Sequence, residues 1–236
     1  MDQYYKLREI IHGYSILKIL GEGRYGIVYL AINDKKEKCV IKQLKNDMLE
    51  ETRQKLFYEE QILRNLNYPQ FPKFIATFHD KYREGYILEY MNGIVFEDIV
   101  RRGYHFSKTE IYHIASQLLE FIEILQSQNI VHRDIRLPNV IVRENNDLAL
   151  IDFGLARYID NKKYVKEMDY WYLADFLIHL HYSSFTETNS VERPWFEELD
   201  LNMAERKFLK KLMGIEGHYH NLDEIKRQLT LIKNTI

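Results

Sequence analysis

The chain has 236 residues, 46% of them hydrophobic, with a formal net charge of −2 and a single cysteine, Cys39. That length supports one large domain or two small lobes with a sizeable core, and the near-neutral balance excludes a global basic field for nucleic acid or anionic membrane. One cysteine excludes an intrachain disulfide framework and fits a reducing compartment, residues 1–12 lack the apolar stretch of a signal peptide, and no apolar run is long enough to span a bilayer, so a cytoplasmic protein is expected.

Residues 2–11 are expected to form a short helix packed on the front half. Residues 14–20 alternate loosely and predict a strand, Gly21-Glu22-Gly23-Arg24-Tyr25-Gly26 predicts a turn, and the β-branched and aromatic residues 27–32 predict a second strand. Residues 38–44 read as a third strand. Residues 47–66 read as a helix with Leu49, Leu56, Leu63 and Leu66 on one face. Short strands at 74–78 and 86–89 follow, the second running to a turn at Met91-Asn92-Gly93. The pattern then changes. Ser107 and Glu110 form a capping box that opens a helix carrying Ile111, Ile114, Leu118, Leu119, Ile122 and Leu125. Residues 140–142 and 148–151 predict a hairpin across Glu144-Asn145-Asn146-Asp147. Further helices are predicted over 169–180, 204–213 and 223–232. The fold class is therefore α+β: an antiparallel-sheet lobe with one main helix (about 1–90), then a mainly helical lobe (91–236), taken together as one domain over 1–236.

His132-Arg133-Asp134, then Asn139, then Asp152-Phe153-Gly154 place an acid, an amide and a second acid at the edges of short apolar runs. That layout suits holding Mg²⁺ and ATP beside an incoming hydroxyl. Asp134 would accept the hydroxyl proton, while Asn139 and Asp152 would offer the hard oxygens that Mg²⁺ prefers. Gly21-x-Gly23-x-x-Gly26 alone also fits a dinucleotide fingerprint. That fingerprint needs a helix directly after the glycines, whereas residues 27–32 favour a strand, so the glycines read as a hairpin turn whose bare backbone can approach phosphates. Lys42 ends an apolar strand and is placed to meet phosphates if an anionic partner holds it. Glu59 and Glu60 compete for that role. Glu59 shares the inward face of Leu56 and Leu63, and Glu60 points about 100° away, so Glu59 is expected.

With these residues the chain resembles the eukaryotic-type serine/threonine protein kinases. The shared set is Gly21-x-Gly23-x-Tyr25-Gly26-x-Val28, Val40-Ile41-Lys42, Glu59, Leu88-Glu89-Tyr90, the His132-Arg133-Asp134 and Asn139 group, and Asp152-Phe153-Gly154. The richness in Tyr, Ile, Lys and Asn suits an A/T-rich, bacterial genome. The resemblance implies a bilobal fold with ATP in the cleft and protein substrates. It implies adenine between Val28 and Val40 on one side and Ile141 on the other, bonded to backbone at Glu89 and Met91, with Leu88 as gatekeeper. Tyr25 would cap the phosphate end. Leu63, His132, Phe153 and Asp169 would form a packed column joining the lobes.

Two departures stand out. Arg136 replaces the lysine usual in serine/threonine kinases two places after the catalytic Asp; it keeps positive charge near the transferring phosphoryl group as a planar fork, and it leaves a tyrosine acceptor open. The stretch between Gly154 and Asp169 is far shorter than the family's activation segment, and it has no Ala-Pro-Glu and no Ser or Thr. Arg133 then has no phosphoserine or phosphothreonine there to bind, and the peptide groove is incomplete. A small-molecule kinase on the same fold is therefore the second reading, although such enzymes commonly have His-Gly-Asp. A non-catalytic interaction module is the third, and the intact Lys42, Glu59, Asp134, Asn139 and Asp152 argue against it. The pairs His179/His181 and His218/His220 have a spacing that diverges on a helix and do not read as zinc ligands. Arg206-Lys207 with Lys210-Lys211 reads as a solvated helix face.

Overall fold

A computed structural model describes residues 2–23, 26–46, 49–186 and 193–236, and for residues 49–56 the backbone alone. Tyr25, Asp47 and the side chains of Leu49 and Leu56 lie outside the described set. The described residues divide into two compact units, one reaching to Asn92 and taking back Phe153–Leu155, the other formed by Gly93–Asp152 and Ala156–Ile236.

The first unit is an antiparallel sheet. Its strands are β1 (Ile10–Ile11), β2 (Tyr14–Glu22), β3 (Gly26–Ile32), β4 (Lys38–Leu44), β5 (Phe74–His79) and β6 (Glu84–Glu89), in the spatial order β1-β2-β3-β4-β6-β5. One helix, α1 (Leu49–Asn65), accompanies them. The strands form where β-branched and aromatic residues alternate, and the alternation assigns each face. Tyr29, Ala31, Cys39, Ile41 and Ile87 are fully buried on one side. Lys42 pairs with Val28 across β3 and with Tyr86 across β6, and Val40 pairs with Leu88, so these residues share the opposite face. Burial pushes the Cys39 thiol up to about 12.

The amino-terminal helix is not formed. Residues 2–9 run irregularly, Ile10–Ile11 pairs with Tyr14 and Ser15, and Arg8 adopts a left-handed φ of +66° with its N–H donating to the Ile16 carbonyl at 2.8 Å. The segment is held by tertiary contacts that outweigh local propensity. Tyr5 is buried, meets Tyr29 and Phe78 edge-on, and carries the Arg83 guanidinium 3.6 Å above its ring. The glycine turn is also tighter than predicted: Gly21 and Glu22 remain in β2, opposite Val28 and Ile27.

The second unit is mainly helical, with α2 (Phe96–Arg101), α3 (Lys108–Ser127), α4 (Glu167–Tyr182), α5 (Trp195–Glu198), α6 (Met203–Leu212) and α7 (Leu222–Lys233). Short strands β7 (Ile94–Val95), β9 (Val140–Val142) and β10 (Leu148–Leu150) form one small sheet, and β8 (Ile130–Val131) pairs with β11 (Arg157–Tyr158). The central helix α3 starts at the expected capping box: the Glu110 N–H donates to the Ser107 hydroxyl and the Ser107 N–H to Glu110 Oε2. Its buried stripe includes Ile111, Ala115, Leu118, Leu119, Ile122 and Leu125 at helical spacing. Each large side chain in that stripe is worth roughly 1.5–3 kcal/mol of burial.

Polar side chains are also buried within this unit. Glu205 is fully buried at the start of α6 and accepts from Lys108 Nζ at 2.9 Å and from the Asn202 N–H at 2.7 Å. Tyr112 lies 3.4 Å from His181 Nε2, and burial pulls the His181 imidazole down to about 4. The basic run on α6 is not a solvated face. Lys210 sits 4.2 Å above the Phe196 ring, Lys211 4.5 Å above Tyr219, and Arg206 donates to the Leu201 carbonyl, which leaves Lys207 as the exposed member of the four. Among the described residues no helix is long and apolar enough to cross a membrane.

Candidate active site

In the first unit the residues singled out by sequence converge on one face of the sheet. Lys42 Nζ lies 3.0 Å from Glu59 Oε1, and the lysine is 17% and the glutamate 1% exposed. Glu60 instead meets Arg64, one turn along α1. The other Glu59 oxygen accepts from the Tyr86 hydroxyl, and Lys42 Nζ sits 5.5 Å from the centroid of the Tyr86 ring. Tyr86 was not anticipated as a member of this cluster. It lies 27 residues from Glu59, and only the pairing of β4 with β6 brings it there. A buried carboxylate needs such partners, because its desolvation otherwise outweighs the attraction to one cation.

The glycine turn at the end of β2 closes with a 2.9 Å bond from the Gly23 N–H to the Gly26 carbonyl. A Cβ on Gly26 would stand 2.5 Å from the Gln43 carbonyl oxygen, so packing demands glycine there; a Cβ on Gly21 or Gly23 would meet nothing within 4 Å. Those two glycines are therefore explained by neither packing nor a left-handed backbone, and a bare stretch that can approach a phosphate fits them. Glu89 donates its N–H to the Lys73 carbonyl at 2.9 Å, so any bond from this residue to an adenine must come through its own carbonyl. Leu88 and Met91 are buried. Phe153 is fully buried in this unit, edge-on to Phe71 at 5.5 Å, and Leu63 is buried in the same unit.

In the second unit the backbone around Asp134 is held from below. The Asp169 carboxylate on α4 accepts from the N–H groups of His132 and Arg133 at 2.8 and 2.7 Å. Burial pushes Asp169 up to about 6 against those two bonds and the charge of Arg133. Asp134 is then gripped from the side. Arg136 approaches it as a fork, Nε to Oδ1 at 2.5 Å and a terminal nitrogen to Oδ2 at 2.9 Å. The Asn139 amide nitrogen donates to the Asp134 carbonyl at 2.9 Å and to its Oδ2 at 2.7 Å. This commits the nitrogen and leaves the amide oxygen as the group that could meet a hard cation. Asn139 is tied in turn to the β10 end, where the Ile151 N–H donates to its carbonyl at 2.9 Å.

Asp152 follows with a left-handed φ of +63°. The Arg136 guanidinium is held above its usual range first by the bond to Asp134, with Tyr172 and Asp152 adding to the same field. Both carboxylates thus act on one cation. Ile141 is buried in β9 opposite Ala149 and Val95. Among the described residues no three His, Cys, Asp or Glu side chains gather as a metal cage.

An antiparallel sheet with a lysine pinned by a helix glutamate, and a helical unit presenting an Asp-Arg-Asn loop, define a phosphotransferase of the protein kinase type. The chain belongs to that family: the protein kinase domain model matches residues 14–191. It is a protein kinase of the eukaryotic-type serine/threonine class, whose members transfer phosphoryl groups to proteins. It is 34% identical over 227 residues to "Probable serine/threonine-protein kinase YbdM" of Bacillus subtilis, covering 92% of this chain and 88% of that protein. It is 27% identical over 230 residues to an "Aurora kinase" of Encephalitozoon cuniculi, covering 94% of this chain and 80% of that one. A third relative, "Cell division control protein 2 homolog 3" of Trypanosoma brucei brucei, is 31% identical over 153 residues, 64% of this chain and 49% of that protein.

Proposed function

We propose that the chain transfers the γ-phosphoryl group of ATP, with Mg²⁺, to serine or threonine hydroxyls of protein substrates. The observation that carries this is the grip on Asp134: Arg136 and Asn139 fix its carboxylate while Asp169 fixes the backbone beneath it. A general base has to be held in one geometry to take a hydroxyl proton, and the bonds from Arg136 and Asn139 supply that hold. Lys42, oriented by Glu59 and Tyr86, neutralises phosphate charge. Gly21, Gly23 and Gly26 let the backbone approach those phosphates, and Tyr25, outside the described residues, is the residue assigned to cap their end. Val28, Val40 and Ile141 offer apolar surface to the adenine, and the backbone of Glu89 and Met91 its hydrogen bonds. Asn139 and Asp152 hold the metal, and Arg136 balances the charge spread over the transferring group. Bound Mg²⁺ supplies charge neutralisation at the phosphate oxygens.

Transfer of radiolabelled phosphate from ATP to mixed protein acceptors, followed by phosphoamino-acid analysis, tests the proposal. Labelled phosphoserine or phosphothreonine is expected, dependent on Mg²⁺ and absent in Asp152→Ala with the fold unchanged by circular dichroism. Wild-type turnover in that variant refutes the metal role; label confined to tyrosine or to metabolites refutes the acceptor class.

A further inference from the structure

The loop between Phe153–Leu155 and α4 holds no Ser or Thr, yet it is tightly built. The Asp160 carboxylate accepts from the N–H groups of Lys162, Lys163 and Tyr164 at 2.9, 2.8 and 2.8 Å, and the Asp160 N–H donates to the Tyr164 carbonyl at 3.0 Å. A closed turn of this kind fixes the direction of the side chain that leaves it. Tyr164 leaves it toward Arg133, whose guanidinium carbon lies 4.6 Å from the centre of the ring. Lys163 Nζ lies 5.3 Å from the same centre. Burial opposes ionisation of the phenol, but the bond to Lys163 and the charges of Lys163, Arg133 and Arg157 outweigh it and hold the group below its usual range.

Arg133 has a reason to need this. Its φ is +67°, a left-handed conformation that an L residue with a long side chain keeps only where its surroundings over-determine it. Asp169 fixes the Arg133 N–H from one side. The Tyr164 ring meets the far end of the same residue. Asp134 is the next residue along the chain, so a relaxation at Arg133 turns the carboxylate that Arg136 and Asn139 grip.

We propose that Tyr164, unmodified, is a positioning residue for phosphoryl transfer: its ring clamps the Arg133 guanidinium and so maintains the backbone from which Asp134 projects. This rests on the reading of Asp134 as the group that takes the hydroxyl proton. The clamp is a cation held over a π face, so the ring matters and the hydroxyl does not. It gives this loop a standing partner for Arg133 with no covalent modification.

The test is steady-state kinetics of the full chain with Mg²⁺-ATP and dephosphorylated casein, on protein shown by mass spectrometry to carry no phosphate on Tyr164. Tyr164→Leu is expected to lower kcat about tenfold while the KM for ATP moves less than about twofold, and Tyr164→Phe to restore kcat to within about twofold. Asp160→Ala, which opens the turn without touching the ring or Arg133, is expected to lower kcat in the same sense. Arg133→Gln combined with Tyr164→Leu is expected to cost no more than Arg133→Gln alone, because the two act as one unit. Wild-type kcat in Tyr164→Leu overturns the clamp. So do equal losses in the Leu and Phe variants, or an additive double variant. Asp134→Asn separates this from the parent reading: if it retains turnover, the role of Asp134 fails; if it abolishes turnover while Tyr164→Leu does not change kcat, the clamp alone fails.

Discussion

The two polar clusters of this kinase are built on opposite plans. Lys42, Glu59 and Tyr86 form a buried group in which charges cancel inside the sheet unit, with the carboxylate 1% exposed. Asp134, Arg136 and Asn139 form a group at the edge of the helical unit, where Asp134 is 8% and Arg136 52% exposed on their side chains. The first cluster is part of the core, so its chemistry and its stability cannot be separated. The second stands on a loop that Asp169 and the β9–β10 hairpin hold from below, so its chemistry can be lost while the fold remains. The lesson is that a cation serving phosphates can be stored as a satisfied ion pair with a buried carboxylate, whereas the base serving a hydroxyl is itself nearly buried and is held by an arginine that stays half exposed.

The sharpest way to break the contrast is Asp134→Asn, which preserves shape and removes the proton acceptor. Transfer is expected to fall by about 10²–10⁴-fold, with a smaller loss in the urea midpoint than Glu59→Ala, since the new amide turns one acceptor of the Arg136 or Asn139 donors into a donor; a loss of stability as large would show that the two clusters are alike after all. Glu59→Ala should do the reverse in emphasis. It strands Lys42 and the Tyr86 hydroxyl and is expected to cost about 3–5 kcal/mol in urea unfolding, together with activity, while Glu59→Gln costs less. A Glu59→Ala protein as stable as wild type would move that pair out of the core category.

A subtler effect comes from His181, buried beside Tyr112 and influenced by Glu205 and Lys108. Burial lowers its folded pKa to about 4 from the ordinary 6.5. Between those values the unfolded chain binds the proton that the folded one refuses, so stability falls as pH drops through that window, by on the order of 3 kcal/mol when integrated. Asp169, raised to about 6 from 3.8, works with the opposite sign: its folded form takes up a proton first, so its contribution to stability declines as pH rises toward 6. His181→Phe is therefore expected to flatten the acid side of the stability profile and expose the Asp169 slope. An unchanged profile across pH 4–6.5 would refute the assignment to His181.

The regular elements were legible because their signals are local. The capping box of α3, the β-branched runs of β3 and β4 and the hairpin of β9 and β10 each carry their evidence within a few residues. The Glu59 face followed from helix geometry alone. What escaped depends on partners far along the chain. A short helix is expected over residues 2–11, but Tyr5 finds Tyr29, Phe78 and Arg83, residues 2–9 become an irregular strap and Ile10–Ile11 a strand. The α6 cations look solvated until Phe196 and Tyr219 come to cover Lys210 and Lys211. The helix α2 has no side-chain cap at Val95 to announce it, and β7, β8 and β11 are two residues each, too short for any period to show. Tyr86 could have been found only from the strand register.

The lone thiol of Cys39 lies fully covered beneath the sheet, and burial pushes its pKa up to about 12. Electrophiles react with thiolate, which at that pKa scarcely forms in the native state. Alkylation of this one atom therefore counts openings of the sheet, and the wild-type chain carries its own clock for that event with no engineered label.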